Sequence, residues 1–323
     1  MARTPSSARS ASAAVPRPGE QRKAASELAE RRQETEQRRR RARWGACAAA
    51  VLIAALVGVY LFNRGNEITS SAATGAAPVV GGDLHTVMVI QDALYVGGHA
   101  AAVVSHDGGR RWTSIPSLEG ADAMGWAVTP SAVLVGGHPG LFRSTDNGST
   151  FSVVRGAAAV PDVHALGGTG NTLYLGSPQA GLLASTDGGL SWQVRNATVG
   201  RSFMGTILVD PTKPARLIAP DMSTGLTASA DGGRTWTPLG GPKGAMAAAW
   251  NPVDPRVIVA VGMGGSARSS DGGATWQPIT VPTGTSAVAY APDGGTLYAG
   301  ALDGEQALTF GSTDGGATWA KTT

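Results

Sequence analysis

Histidine is scarce in this chain, with 5 among 323 residues, and all five fall between residues 85 and 164. His85 and His164 each come two residues after an aspartate, while His99 and His138 each end a Gly-Gly-His segment. Imidazole nitrogens are ligands for zinc and copper. The pattern therefore predicts a ligand or metal site that uses these four side chains.

Three aspartates recur two residues before a His or Met: Asp83, Asp122 and Asp162. Met124 stands after its aspartate as the two histidines do after theirs. A mixed His/Met set favours copper over calcium or magnesium. Two convergent carboxylates could instead act as the acid and base of a glycoside hydrolase. Residue types and spacing leave both uses open.

These residues are embedded in a repeat. A segment of the form Ser-x-Asp-x-Gly-x-x-Trp/Phe occurs six times, from residues 105–112 to residues 312–319, with a period of 39 to 44 residues. Its central acids are Asp107, Asp146, Asp187, Asp231, Asp271 and Asp314. A fixed period near 40 is typical of repeat architectures. The carboxylate can accept backbone N–H bonds across a glycine turn, so we interpret the six acids as fold residues.

The six segments resemble the Asp-box, or BNR repeat, of sialidases and related β-propellers. That resemblance implies that each segment is the hairpin between the third and fourth strands of a blade, on the face opposite the active site. Each repeat also contains three strand-like runs, which in the third repeat are residues 162–168, 171–177 and 181–186. The sequence thus predicts an all-β fold, a six-bladed propeller over residues 83–323.

Alignment of the first strands gives one column across the blades: His85, Met124, His164, Met204, Met246 and Val288. First strands are innermost, and they begin at the end of the propeller where the Gly-Gly-His strands finish. The alignment predicts a site at the mouth formed by blades 1 to 3. The candidate ligands of copper or zinc on the column are His85, His164, Met124 and Met204. The alternative is that Met and Val pack in the core and the histidines cap strand ends.

The sialidase catalytic set does not match this chain. It requires an arginine triad, a Tyr–Glu pair and an Asp acid/base, but the blades contain two glutamates, Glu119 and Glu305, and the first strands contain no arginine. The segments at residues 82–87, 120–128, 133–144 and 162–166 resemble those of small exported Asp-box proteins described as glycosyl-hydrolase-like, a resemblance that covers roughly residues 82–323. Asp-box propellers without an active site resemble photosystem II assembly factors and sortilin-type receptors, which bind polypeptide. The expected function is binding of a ligand, metal ion, partner protein or glycan; the alternative is a glycoside hydrolase using Asp83, Asp122 and Asp162.

The N-terminal part predicts a membrane anchor. Residues 44–62 (WGACAAAVLIAALVGVYLF) form an uncharged run that is long enough, as a helix, to span a bilayer. Arginines at 38–43 precede it, which places residues 1–43 in the cytoplasm by the positive-inside rule. We predict a basic, partly disordered tail (1–43), a transmembrane helix (44–62), a linker (63–82) and a propeller outside a bacterial cell membrane. A cleaved signal peptide is the alternative.

Charge and cysteine content narrow the function classes. The formal net charge is +3, but the positive excess lies in the tail, and residues 64–323 carry 14 Lys/Arg against 18 Asp/Glu. A mildly acidic propeller does not favour a nucleic-acid partner. The single cysteine, Cys47, excludes an intramolecular disulfide framework.

Overall fold

The structure is a computed structural model that describes residues 77–156 and 159–322. Within these residues, strands β1 to β25 form six sheets: five have four consecutive antiparallel strands, and the sheet of blade 3 has a fifth strand that pairs in parallel. Blades 1 and 2 comprise β1 (Leu84–Ile90), β2 (Ala93–Gly98), β3 (Ala102–Ser105), β4 (Thr113–Ser114), β5 (Gly125–Thr129), β6 (Ala132–Gly136), β7 (Leu141–Ser144) and β8 (Ser152–Val153). A short 3-10 helix, Pro116–Leu118, connects them.

The remaining four blades repeat this order. Blades 3 and 4 comprise β9 (Ala165–Thr169), β10 (Thr172–Ser177), β11 (Gly181–Ser185), β12 (Gln193–Asn196), β13 (Gly205–Thr206), β14 (Leu208–Val209), β15 (Leu217–Asp221), β16 (Gly225–Ser229) and β17 (Thr237–Gly240). Blades 5 and 6 comprise β18 (Ala245–Trp250), β19 (Ile258–Gly262), β20 (Gly265–Ser269), β21 (Gln277–Pro278), β22 (Thr285–Tyr290), β23 (Leu297–Asp303), β24 (Gln306–Ser312) and β25 (Ala320–Lys321). The short strand β13 pairs in parallel with β9 of the preceding blade.

The prediction of an all-β, six-bladed propeller is confirmed. The three strand-like runs predicted for the third repeat correspond to β9, β10 and β11, although β9 begins three residues later than predicted. The predicted tail (1–43) and transmembrane helix (44–62) lie outside the described residues. The part of the chain that the structure describes has no helix with the length and apolar character needed to cross a membrane.

Buried apolar layers between neighbouring blades hold the ring together. Between blades 1 and 2, Trp126 is fully buried, with its ring centroid 5.3 Å from that of Tyr95 and 5.8 Å from that of Phe151. Between blades 6 and 1, the Ser286 hydroxyl donates a 2.6 Å hydrogen bond to the Leu84 carbonyl. Each blade thus depends on its neighbours to bury its faces.

The six repeat segments, which we call the repeat turns, connect the third and fourth strands of each blade, as expected. In the blade 3 turn, Asp187 accepts hydrogen bonds from the Ser185 hydroxyl at 2.7 Å, the Ser191 amide at 2.9 Å and the Ser191 hydroxyl at 2.5 Å. The other five acids accept the equivalent hydrogen bond from the serine hydroxyl. The aspartates of the repeat turns therefore bind their own turns.

These hydrogen bonds predict acid sensitivity of the fold. Donation from Ser144 and Thr150 lowers the pKa of Asp146 from its ordinary 3.8 to about 2. A carboxylate with a depressed folded-state pKa contributes stability that is complete above about pH 4 and is lost as the pH falls toward 2. We expect the melting temperature to change little from pH 7 to pH 5 and to fall below pH 4. In Asp146→Asn, melting at pH 7 should be lower and the acid-dependent fall smaller; equal pH profiles for the two proteins would contradict this.

Candidate metal centre

A backbone bulge positions His85. Leu84 pairs with Gly98 and Thr86 with Gly97, so His85 is the extra residue at the start of the inner strand β1. The first strands of blades 5 and 6 have the same bulge, and its extra residue is Met246 in blade 5 and Ser286 in blade 6. The predicted sixth member of the column, Val288, is therefore wrong. Ser286 takes that place, two residues earlier, because the alignment counted back from the repeat turn, and β23 and β24 are longer than their counterparts, at seven residues each.

Glycines bring each Gly-Gly-His segment against the next blade. A Cβ on Gly97 would lie 2.4 Å from the carbonyl oxygen of Ala123 in blade 2, and one on Gly136 would lie 2.2 Å from Cγ1 of Val163 in blade 3. Gly137 meets its own blade, where a Cβ would lie 1.9 Å from the carbonyl oxygen of Asp122. Only glycine permits this approach of two backbones. The end of a second strand consequently lies beside the start of the next blade's first strand, which places His99 and His138 among aspartates of the following blades.

The first triad consists of His85, His99 and Asp122. Nδ1 of His99 lies 2.8 Å from Asp122 Oδ1, and Nε2 of His85 lies 4.0 Å from the same oxygen. The three ligand atoms are all within 4.8 Å of one another. Asp122 is 6% exposed and His85 is half-buried, whereas the His99 side chain is 59% exposed. The triad therefore opens to solvent on the side of His99.

The second triad consists of His138, Asp162 and His164. Nε2 of His138 and Nε2 of His164 each lie 3.0 Å from Asp162 Oδ1. These three ligand atoms also lie within 4.8 Å of one another. The side chain of Asp162 is 13% exposed, while that of His138 is 53% exposed. Both triads thus have one solvent-facing imidazole and a more enclosed carboxylate.

The ligand atoms approach one another without forming hydrogen bonds. Four of the buried atoms in the two triads have no hydrogen-bond partner among the residues that the structure describes: His85 Nε2, Asp122 Oδ1, Asp162 Oδ1 and His164 Nε2. The separations of 2.8 to 3.0 Å between these imidazole nitrogens and carboxylate oxygens are those of close ion pairs. Ligands at about 2.0 to 2.1 Å from one tetrahedral ion lie only about 3.3 Å apart. Unpaired buried polar atoms are costly, and a shared cation would satisfy them.

Burial favours the neutral, ligating form of two imidazoles. Desolvation lowers the pKa of His85, against the opposing effect of Asp122. Desolvation likewise lowers the pKa of His164, against the effect of Asp162. A neutral imidazole keeps a free electron pair on one ring nitrogen, which is the form that binds a metal ion.

The structure does not bring every candidate residue into the triads. Asp83 is exposed and belongs to neither triad. In each triad the aspartate meets a histidine from the preceding blade. For Asp83 the preceding blade is blade 6, which has Leu302 at the position that His99 and His138 occupy in blades 1 and 2. On the first-strand column, Met124 is 5% exposed and Met204 is half-buried.

Sequence reasoning missed which histidine meets which aspartate. The partners come from successive blades: His99 meets Asp122, and His138 meets Asp162. A usable signal was present, because each Gly-Gly-His segment is followed by its partner aspartate after 23 or 24 residues.

The backbone of blade 4 comes close to blades 1 and 5 near the propeller axis, at the level of the triads. A Cβ on Gly205, which has φ +62°, would lie 3.1 Å from the Met246 carbonyl oxygen and 3.9 Å from the His85 carbonyl oxygen. Backbones of blades 1, 4 and 5 therefore meet closely next to the first triad. The surroundings of His85 are enclosed on the axis side and open on the side of His99.

Comparisons with solved structures agree with the fold. The chain is similar to the GH74 xyloglucanase from Xanthomonas campestris (TM-score 0.52, 20% identity, covering 77% of this chain and 46% of that one). It is also similar to the Niastella koreensis GH74 enzyme (TM-score 0.55, 18% identity, covering 78% of this chain and 47% of that one). A third similar structure is a chain of a nidogen/laminin complex (TM-score 0.52, 12% identity, covering 70% of this chain and 90% of that one). The chain spans about half the length of the two GH74 proteins. No protein-family model and no curated protein matches the sequence.

Proposed function

We propose that this propeller binds a transition metal ion, zinc or copper, at the mouth formed by blades 1 to 3. The observation that carries the proposal is the convergence of imidazole nitrogens on carboxylate oxygens at 2.8 to 3.0 Å while the buried ligand atoms stay without hydrogen bonds. Such a set attracts a cation and leaves part of its coordination sphere to water or a further ligand.

The donor types select the metal. Two imidazoles with one carboxylate suit zinc or copper(II), whereas calcium and magnesium prefer all-oxygen sets. By the Irving–Williams order, copper(II) should bind more tightly than zinc at the same ligands. The thioethers of Met124 and Met204 are the further candidate ligands on the first-strand column, and their involvement would add affinity for copper(I).

The test is a metal titration of the full-length chain after chelator treatment. We expect zinc(II) and copper(II) to bind and to raise the melting temperature, because a ligand bound at 100 times its Kd stabilises the folded state by about 2.7 kcal/mol. In the double variant His85→Ala/His164→Ala, which removes one imidazole from each triad, tight binding and the thermal shift should be lost.

His106→Ala is the matched control. His106 is exposed in the repeat turn of blade 1, at the end of β3 away from the mouth, and belongs to neither triad. This variant should bind metal as the unaltered chain does. Binding that survives in the double variant, or that is equally weak in all three proteins, would contradict the proposal.

Glycan hydrolysis by Asp122 and Asp162 is the second candidate. Its support is the placement of two carboxylates on adjacent blades, where His138 contacts both at 2.8 and 3.0 Å. Xyloglucan is a reasonable first substrate, since it is the substrate class in the name of one structural neighbour. Reducing sugar released by the metal-free chain and abolished in Asp122→Asn would favour hydrolysis over metal binding.

The proposal has a cellular setting. We place the propeller outside a bacterial cell membrane, anchored by residues 44–62. The uncharged run at 44–62 and the arginines before it support this arrangement. We also assign the repeat turns as Asp-boxes. An extracytoplasmic protein or glycan would then reach the metal from the solvent side. The similar chain from the nidogen/laminin complex comes from a protein–protein complex, which supports a protein partner for this propeller outside the membrane.

A further inference from the structure

Asp122 faces both triads, and a different oxygen faces each. Its Oδ1 belongs to the first triad, 2.8 Å from His99 Nδ1. Its Oδ2 lies 2.8 Å from Nδ1 of His138, in hydrogen-bonding geometry. Since a carboxylate accepts, Nδ1–H of His138 donates. One buried carboxylate therefore connects two separate groups of ligand atoms.

This hydrogen bond determines the tautomer of His138. In the neutral ring, which is the form that binds a metal ion, the proton is on Nδ1 and the electron pair is on Nε2, which lies 3.0 Å from Asp162 Oδ1. An electron pair that faces a carboxylate oxygen at that distance is repulsive unless a proton or a metal ion lies between them. Carboxylates that accept from the far nitrogen of a ligating imidazole are a recurrent means of orienting metal ligands.

We infer that the mouth holds two metal ions, one in each triad, and that Asp122 serves both: it ligates the first ion through Oδ1 and orients His138 for the second through Oδ2. This inference rests on the proposed function. The two ions would share one enclosed carboxylate, and both would be reached from solvent past His99 and His138, whose side chains are more than half exposed.

The experiment counts ions in the full-length chain and in three variants. Zinc(II) titration with elemental analysis should give two ions per unaltered chain. His99→Ala changes only the first triad and His164→Ala only the second, so each should retain one ion. Asp122→Ala should lose the first ion and bind the second about 10 to 100 times more weakly, which is the usual effect of removing an orienting partner. His106→Ala should keep both ions.

Copper(II) adds a spectroscopic readout that a purely structural role would not move. The electron paramagnetic resonance spectrum of the unaltered chain should show spin–spin broadening when two equivalents are bound, and His99→Ala and His164→Ala should show isolated ions. If Asp122→Ala does not fold, Asp122→Asn, which keeps the side-chain volume, replaces it as the test of the shared role, and the two histidine variants decide the number of ions.

The outcomes separate this inference from the proposed function. A single ion per chain, lost in both His99→Ala and His164→Ala, would overturn the two-ion arrangement but leave metal binding intact. Unweakened binding of the remaining ion in a folded Asp122→Ala would overturn the shared role of Asp122. Absence of any bound ion in the unaltered chain would overturn the proposed function itself.

Discussion

Gly137→Ala should weaken metal binding and destabilise the propeller at the same time. The added methyl would lie 1.9 Å from the carbonyl oxygen of Asp122 and 2.6 Å from its carbonyl carbon. Both are backbone atoms that cannot rotate away. Blades 2 and 3 also meet here, because the amide of Val163 donates a 3.2 Å hydrogen bond to the Gly137 carbonyl. Relief of the clash must therefore move Asp122, His138 or the contact between the blades.

The expected size follows from these contacts. Overpacking of this kind costs about 1 to 3 kcal/mol or more, which lowers the melting temperature of a domain this large by about 2 to 12 °C. Displacement of Asp122 from His138 should weaken metal binding at least about tenfold. Calorimetry and zinc titration of the same preparation measure both effects.

Gly82→Ala is the control for this substitution. Gly82 lies near the mouth, immediately before Asp83, and a Cβ there would meet no atom of residues 77–156 or 159–322 within 4 Å. It should melt and bind metal as the unaltered chain does. If Gly137→Ala behaves like Gly82→Ala, the close approach of the two backbones has no energetic importance.

Trp126→Ala should give a large loss of stability. Trp126 is fully buried between blades 1 and 2 and packs against Tyr95 and Phe151. Truncation of such a side chain leaves a cavity and costs about 3 to 5 kcal/mol. We expect a melting temperature lower by about 6 to 20 °C, measured by calorimetry on the chelator-treated protein so that metal does not contribute.

Two further variants identify the cause of that loss. Trp126→Phe keeps most of the buried volume and should lose less than half as much stability. Leu190→Ala removes an apolar side chain that is 63% exposed in a repeat turn and should change the melting temperature by about 1 °C or less. A loss for Leu190→Ala that matches Trp126→Ala would show that burial between blades does not govern stability.

The repeat turns made the fold readable from sequence. Each turn has an acid that its own serine and backbone satisfy, so the motif has the same structure wherever it occurs, and six occurrences define six blades. The strand positions followed from that period. The exception was blade 4, where the first strand divides into β13 and β14 and β13 joins the preceding sheet. No local pattern in residues 202–209 indicates this division.

The candidate site was predictable in composition but not in arrangement. Alignment placed four histidines and three aspartates at one mouth. Their pairing depends on how closely successive blades approach, which is a property of contacts such as those of Gly97 with Ala123. The bulge at Ser286 depends on strand register and has no signature of its own. Both features arise from tertiary packing, beyond what single-residue propensities describe.

The order of the strands around the ring has a consequence for biosynthesis. Every blade is made from consecutive strands, so most pairings are local and favour fast folding. The seam between blades 6 and 1 is different, since it joins Ser286 to Leu84 across 202 residues and must wait for the last blade. Both triads lie within residues 85–164. The proposed ligands therefore leave the ribosome together and early, and the half of the ring that closes the circle follows them.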